Sequence, residues 1–326
     1  MIRQTVDRLA ALVSPERTLV VTGQRLVVAV REELPELPAA SIVGEPCRRD
    51  TAPCIGLAAL LVSRDDPDAT MVVLPADHVI SPPEVFQETI AQAADLVDDS
   101  PARLVTFGIK PTYPAESFGY IERDRASEDG GGGSATVYRV AQFREKPDAS
   151  TAAEYLASGR YYWNSGIFVW RASTIIAALA DRAPTMLDHL KRIVAAWETA
   201  DQQDVFEREF AAIDGISIDY AVMEHATDVA VIEAPFHWDD VGSWQALARL
   251  NQTDADGNTV VGKHLGLDTK GTIIRVSDQH FVVTLGIEDC IVVHTPDATL
   301  VARKQDEEKV RAVVKELESK GLEEYL

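Results

Sequence analysis

Apolar residues at Ile2, Val6, Leu9 and Val13 recur at intervals of 4, 3 and 4 and predict a helix at the start of the chain. Short apolar runs and longer amphipathic ones then alternate. Residues 18–23 predict a strand closed by glycine, 24–34 a helix, 41–44 a short strand, and 51–64 a helix whose first turn tolerates Pro53. The run Thr70-Met-Val-Val-Leu74 has no polar alternation, the pattern of a strand buried on both faces, and it leads to Asp77. A helix over 82–97 and a strand over 103–109 follow. Strands and helices in this order predict βαβ units and an α/β fold with a largely parallel sheet.

After Ile109 the pattern changes. Residues 118–123 and 135–146 predict paired strands across Gly130-Gly-Gly-Gly133, which reads as a surface turn because no helix follows it. Helical segments fill 173–226 and a strand covers 228–236. The polar cluster from Asp254 to Asn258 predicts a boundary, giving domains 1–253 and 254–326. Beyond it Ile274, Val283, Val292 and Val301 stand nine residues apart, each in a short apolar run, which predicts a small solenoid-like β-module. A charged amphipathic helix over 305–320 closes the chain.

Composition narrows the function classes. The 326 residues, 46% hydrophobic, suffice for one large domain and a smaller one. A net charge of −21 argues against nucleic acid and anionic membranes as partners, both of which need basic patches. Cys47, Cys54 and Cys290 have neither disulfide-framework nor metal-ligand spacing. No apolar run is long enough for a bilayer and the N-terminus has no signal-peptide core, so the expected location is cytoplasmic.

Two acids carry the candidate chemistry. Asp77 stands at the carboxyl end of its strand, where open α/β sheets place ligands. Asp240, in Trp238-Asp-Asp-Val-Gly-Ser-Trp244, also follows an apolar run. Two such carboxylates suggest a Mg²⁺ site for phosphate chemistry. The bland alternative for Asp77 is a helix N-cap or turn acid, and Asp239 is a rival ligand to Asp240. Asp66-Pro-Asp68 reads as a solvated turn.

Five local sequences occur in order: Glu45-Pro-Cys-Arg-Arg-Asp-Thr-Ala-Pro53, Leu74-Pro-Ala-Asp-His78, Phe118-Gly-Tyr-Ile121, Glu145-Lys-Pro147 with Trp163-Asn-Ser-Gly-Ile-Phe168, and Trp238 to Trp244. Gly108-Ile-Lys-Pro-Thr-Tyr-Pro114 and Ser217-Ile-Asp-Tyr-Ala-Val-Met-Glu224 extend the set. Over nearly the whole chain this set resembles the mannose-1-phosphate guanylyltransferases, a branch of the sugar nucleotidylyltransferases. The resemblance implies a Rossmann-like nucleotidyltransferase domain with a C-terminal left-handed β-helix. It also implies the activity: guanylyl transfer from GTP to mannose 1-phosphate, giving GDP-mannose and pyrophosphate, with Mg²⁺ as cofactor.

Residue by residue, the resemblance makes Asp77 and Asp240 the metal carboxylates and Lys146 a point charge on the sugar phosphate. It places Gly119, Glu145 and Asn164 in the sugar pocket, and Asp219 either there or, like Ser217, at a helix cap. Glu45, Arg49, Asp50, Thr51, Ala52 and Pro53 fall in the guanine and ribose region, with Glu45 able to accept from the N1 and N2 edge of guanine. The chain departs from the family pattern at Asp50, where relatives commonly carry Asn, and at Arg48, where many carry Gly. No counterpart of the family's first strand, Gly-rich loop and Pro-Lys-Gln-Phe stretch precedes Ile2. The expectation is that the 326-residue form is nearly inactive and a longer reading frame makes GDP-mannose. The alternatives are a non-catalytic sugar-nucleotide-binding or regulatory subunit, a poorly folding fragment, and another sugar-1-phosphate nucleotidylyltransferase. An exposed apolar face on the C-terminal module would favour a homodimer.

Overall fold

The structure is a computed structural model that describes residues 1–128, 135–277 and 279–325; the glycine run 130–133 lies outside the described residues. It divides into two compact units, Met1–Trp238 and Asp239–Leu326. The first contains, in chain order, α1 (Ile2–Leu9), β1 (Val20–Gly23), α2 (Val27–Glu33), β2 (Ile42–Glu45), α3 (Thr51–Ser63), β3 (Thr70–Val73), β4 (Val79–Ser81), α4 (Pro83–Asp99) and β5 (Leu104–Ile109). It continues with β6 (Tyr120–Glu128), β7 (Val137–Arg144), α5 (Ala149–Ser158), β8 (Tyr161–Arg171), α6 (Ala172–Arg182), α7 (Pro184–Ala195), α8 (Gln202–Ala211) and β9 (Val229–Glu233). Among the described residues no helix is long and apolar enough to cross a membrane.

The core of this unit is a six-stranded sheet, order β3-β8-β5-β9-β7-β6. Side chains alternate across it with the period of a strand. Leu104, Phe168, Trp170, Val229 and Val231 point into one apolar layer. Their neighbours Val105, Phe107, Ile167, Val169, Ala230 and Ile232 point into the other. The helix α3, apolar all round, packs with α6, α7 and α8 in the first layer, where Ala52, Leu57 and Ala59 have no exposed surface. On the opposite face α4 starts with Pro83 in its first turn and buries Phe86, Ile90, Ala93 and Val97 at helical spacing. The result is the expected α/β architecture, a sheet between helices.

The strand directions refine that expectation. Parallel pairing holds for β1 with β2 and for β5 with β9. The strand β8 pairs antiparallel with both β3 and β5, so it separates two strands that run the same way. The remaining partners β6 and β7 are also antiparallel to their neighbours, so the sheet is mixed where the sequence predicts a largely parallel one. The reason is β8 itself: its polar Asn164-Ser165-Gly166 interrupts the apolar run and hides an eleven-residue strand. The strands β1 and β2 form a separate pair whose small core joins Ile2 and Val6 of α1 to Val27, Val30 and Leu34.

Between α7 and α8, Glu209 accepts hydrogen bonds from Arg192 Nη1 at 3.0 Å, His189 Nδ1 at 2.9 Å and Arg208 Nε at 3.0 Å. Arg192 foremost, with His189, holds the Glu209 carboxyl at about 2, against 4.5 for the free group. The native state therefore binds this proton less tightly than the unfolded chain, and the stabilisation is present above pH 4.5 and lost as pH falls toward 2. Glu209→Gln is expected to lower the melting temperature at pH 7 by about 3–6 °C, with the deficit shrinking below about pH 4.5 and vanishing only as pH approaches about 2, in thermal melts across that range.

The second unit holds β10 (His237–Asp239) in part, α9 (Ala246–Leu250), β11 (Thr259–Val261), β12 (Lys263–Leu267), β13 (Ile273–Val276), β14 (Phe281–Leu285), β15 (Cys290–His294), β16 (Thr299–Arg303) and α10 (Val310–Ser319). Parallel register sets Ile273 against Ile291 and Lys263 against Phe281, an offset of 18 residues in both sheets. One coil is therefore twice the nine-residue spacing seen in the sequence, and successive apolar runs land on different faces. Ile274 and Val292 fall inside with Val276, whereas Val283 and Val301 are more than half exposed. Asn258 closes the first coil: its Nδ2 donates to Thr269 O at 2.8 Å and its Oδ1 accepts from Thr272 N at 2.9 Å. Leu265, Leu267, Phe281, Val283 and Leu285 form an exposed apolar face on β12 and β14.

Candidate functional site

In the first unit, sheet register gathers four sequence-distant segments. It places Gly108 against Asn164 and sets Tyr120 against both Trp163 and Arg144. Gly119, Glu145, Lys146 and Asn164, each at or within two residues of one of those paired positions, are thereby drawn together. A Cβ on Gly119 would lie 2.6 Å from Glu145 Oε2, so any larger residue there would displace that carboxylate from its present position. The Glu145 side chain is 8% exposed and is paired with Lys146 Nζ, an ion pair drawn into the protein at its acidic end.

Asn164 links this cluster to Asp219. Its Nδ2 donates to Asp219 Oδ1 at 2.8 Å, its Oδ1 accepts from Gly166 N at 3.1 Å, and its own N donates to Gly119 O at 2.8 Å. Of the two readings for Asp219 and Ser217, it is Ser217 that caps, with Oγ accepting from Tyr220 N at 3.3 Å. Burial, with Glu145 nearby, raises the Asp219 carboxyl to about 6. Burial alone would lower Lys146, but Glu145 and then Tyr220 and Asp219 outweigh it and hold the ammonium above its ordinary value. The cluster thus offers two largely buried carboxylates, an amide and a lysine: acceptors for hydroxyls beside a cation for a phosphate. Tyr113, Phe118, Trp163 and Trp238, two of them adjacent in sequence to Gly119 and Asn164, form an aromatic cluster with ring contacts of 4.8–5.6 Å.

An Asp219 carboxylate poised near 6 sets a pH signature. Below that value it holds a proton and loses an acceptor, so affinity for a hydroxyl-bearing phosphate ligand is expected to fall several-fold between pH 7.5 and 5.5. Asp219→Asn should flatten that dependence in calorimetric titrations corrected for the ligand's own phosphate ionisation. Because the folded carboxyl is raised from 3.8 to about 6, Asp219 also lowers stability as pH rises from about 3.8 through 6, with no further loss above that.

The segment 45–53 runs from the end of β2 into α3. Glu45 Oε1 is buried without a hydrogen-bond partner, and burial pushes the carboxyl up to about 7. Burial and the Glu45 charge together push the neighbouring Cys54 thiol up to about 12. Asp50 caps α3, accepting from Thr51 N at 2.8 Å, with φ at +66°. Thr51 Oγ1 accepts from Ile218 N at 2.9 Å, while Ala52 and Pro53 are buried in the first turn of the helix. Arg49 donates from Nε to Phe210 O at 3.3 Å and from Nη2 to Ala211 O.

Asp77 lies on an exposed turn between β3 and β4. The helix α1 grips the carbonyls on either side of it: Thr5 Oγ1 donates to Ala76 O at 3.4 Å and Arg8 Nη2 to His78 O at 3.2 Å. His78 Nδ1 in turn accepts from Trp238 Nε1 at 3.1 Å.

In the second unit, Asp239 and Asp240 have different employment. Asp239 is buried, takes two hydrogen bonds from Arg249, Nη2 to Oδ1 at 3.0 Å, and accepts from Val241 N at 2.9 Å. Asp240 keeps a 24% exposed side chain with Arg249 Nη2 at 3.8 Å, and burial raises its carboxyl above the ordinary range. A Cβ on Gly242 would fall 2.3 Å from Asp240 Oδ2, which explains the glycine in Asp-Val-Gly. Among the described residues, Asp50, Lys146 and Val241 are three of six non-glycine residues with positive φ, so backbone strain gathers in the motif segments. Arg249 and the aromatic cluster were not singled out from sequence; Arg249 stands ten residues from its partner with no local pattern to mark it.

Among the described residues no group of three or more His, Cys, Asp or Glu stands ready to hold a metal alone. Carboxylate oxygens offered singly suit a hard divalent cation that takes its remaining ligands from phosphate and water.

The family described as Nucleotidyl transferase matches residues 1–257. The Mannose-1-phosphate guanylyltransferase of Escherichia coli is 37% identical over 328 residues, which takes in 100% of this chain and 68% of that protein. The chain belongs to the mannose-1-phosphate guanylyltransferase family of nucleotidyl transferases. A second family, the MannoseP isomerase/GMP-like beta-helix domain, matches residues 262–317 of this guanylyltransferase-family chain. A solved structure described as mannose-1-phosphate geranyltransferase from Thermus thermophilus superposes with a TM-score of 0.85 at 33% identity, covering 97% of this chain and 89% of that one. A mannose-6-phosphate isomerase from Helicobacter pylori reaches a TM-score of 0.60 at 27% identity over 73% of this chain and 89% of that one.

Proposed function

We propose that this protein transfers a guanylyl group from GTP to mannose 1-phosphate, releasing pyrophosphate and forming GDP-mannose. The observation that carries the reading is the Glu145, Lys146, Asn164 and Asp219 cluster beside Gly119, a hydroxyl- and phosphate-binding set in a chain similar over its whole length to proteins of that name. The sugar-phosphate oxygen attacks the α-phosphorus of GTP as the bond to the pyrophosphate oxygen breaks, so no protein nucleophile is required. Lys146 holds the sugar phosphate as a point charge, and Glu145 and Asp219 accept from sugar hydroxyls, with Asn164 orienting Asp219.

Glu45 accepts from the guanine edge, its unpartnered buried oxygen being the support for that role. Asp50, Thr51, Ala52 and Pro53 shape the ribose side through the start of α3. Asp77 and Asp240 are the carboxylates that would hold Mg²⁺, and Asp239, spent on Arg249, is not. The ion would neutralise phosphate charge when bound. The three free cysteines accord with a cytoplasmic enzyme, and the apolar face of β12 and β14 with a homodimer.

Calorimetric titration with GDP-mannose, GDP-glucose and ADP-mannose tests the reading. GDP-mannose is expected to bind at least about tenfold more tightly than either of the others. Equal affinity for all three would refute both the base and the sugar assignments.

A further inference from the structure

The loop between α8 and Asp219 is tied to the start of α3 at four points. Arg49 reaches across to the Phe210 and Ala211 carbonyls at the end of α8. Ala52 N donates to Ile216 O at 3.0 Å and Thr51 Oγ1 accepts from Ile218 N at 2.9 Å. Gly215 lies flat against the backbone of Arg49: a Cβ there would meet Arg49 O at 3.2 Å and Arg49 C at 3.3 Å. One residue beyond Ile218, Asp219 enters the sugar cluster through Asn164. The segment read as nucleotide-binding and the loop carrying a sugar-binding carboxylate are therefore cross-linked by side-chain and backbone hydrogen bonds.

The geometry points to Arg49 as a positioning residue that couples the nucleotide segment to the sugar-phosphate pocket, not as a contact to the nucleotide. The inference rests on the assignment of those two pockets above. Two of its guanidinium nitrogens are committed to backbone carbonyls at the end of α8, the element that leads into the Asp219 loop. The backbone of Arg49 lies just before Asp50, whose φ of +66° holds the chain in a strained turn at the mouth of α3. A nucleotide that fixes residues 50–53 fixes the Asp219 loop through these bonds, and linkage requires the sugar phosphate to strengthen nucleotide binding by the same factor.

Calorimetry on the full chain tests this, with mannose 1-phosphate and the α,β-methylene analogue of GTP, which cannot release pyrophosphate. In the wild type the analogue is expected to tighten mannose 1-phosphate by about fivefold or more. In Arg49→Met the analogue should bind within about twofold of wild type, while mannose 1-phosphate weakens about tenfold and the coupling factor falls to about 1. Arg49→Lys, which keeps the charge but not the two-pronged geometry, should retain only part of the coupling.

Gly215→Ala presses on the Arg49 backbone without altering a side chain in either pocket, and it should reduce coupling in the same direction. If Arg49→Met does not fold by circular dichroism, Gly215→Ala and Arg49→Lys decide alone. Loss of analogue affinity with mannose 1-phosphate unchanged would make Arg49 a nucleotide contact and overturn the proposal, as would wild-type coupling in all variants. A wild type that binds neither ligand would instead remove the pocket assignments on which the proposal stands.

Discussion

Asp240→Asn is expected to abolish divalent-metal-dependent turnover, by at least about a hundredfold, while leaving the thermal melt nearly unchanged. Its neighbour should behave in the opposite way. Asp239 is buried, takes both prongs of Arg249 and caps the backbone at Val241. Asp239→Asn removes the buried carboxylate of an ion pair whose arginine is exposed, and is expected to cost about 1–3 kcal/mol of stability. Arg249→Met should do the same, since it leaves the Asp239 carboxylate uncompensated. Asp77→Asn should match Asp240→Asn, because Asp77 lies on an exposed turn whose flanking carbonyls, not its side chain, are held by α1. Manganese binding followed by electron paramagnetic resonance supplies a readout independent of turnover. Weakened binding is expected for Asp77→Asn and Asp240→Asn, with wild-type binding in whatever fraction of Asp239→Asn stays folded. Full activity in Asp240→Asn would refute the ligand assignment.

Glu45→Gln carries the second large effect. A buried carboxylate oxygen without a partner is costly, and a ligand donor repays that cost on binding. Guanine presents two N–H donors on the edge a carboxylate can take, and adenine presents none in that arrangement. With the carboxyl raised to about 7 by burial, GTP affinity is expected to rise from pH 6 to pH 8 as the group ionises. Glu45→Gln should weaken GTP about 10–100-fold, erase that pH dependence and narrow the preference for GTP over ATP. The same substitution should leave the apo protein as stable or more so near pH 8, because it removes a buried charge. Titrations with both nucleotides at several pH values, alongside melts of the apo form, check all three. A variant that keeps the GTP preference would show that the base is read elsewhere.

Much of the fold is legible in the chain because local patterns and tertiary roles coincide. The uninterrupted apolar run before Asp77 is a sheet strand, and the apolar segment from Thr51 is a helix packed among helices on one layer. The nine-residue spacing after Asn258 is the half-turn of a coil that repeats every 18 residues. The strand β8 escaped because Asn164, Ser165 and Gly166 break its pattern to serve the pocket. That is where function takes precedence over periodicity.

The candidate site divides along the same line. Glu145, Lys146, Asn164 and Gly119 stand in short motifs, and their meeting follows from strand register. The division of labour between Asp239 and Asp240 could not be read locally, because it depends on Arg249, which no spacing rule connects to them. The ties of Arg49 to the end of α8 are equally silent in sequence, since their acceptors are backbone carbonyls that any residue supplies.

The central claim meets its most direct test in a product assay. The 326-residue chain and the longest reading frame that contains it are each incubated with Mg²⁺, one of GTP, ATP and UTP, and one of mannose 1-phosphate and glucose 1-phosphate. Pyrophosphate and nucleotide sugar are quantified together. The account predicts GDP-mannose and stoichiometric pyrophosphate from GTP with mannose 1-phosphate, at least about tenfold faster than from any other pair. Faster product from another nucleotide or sugar phosphate, or tight GDP-mannose binding with no turnover in either form, would contradict it.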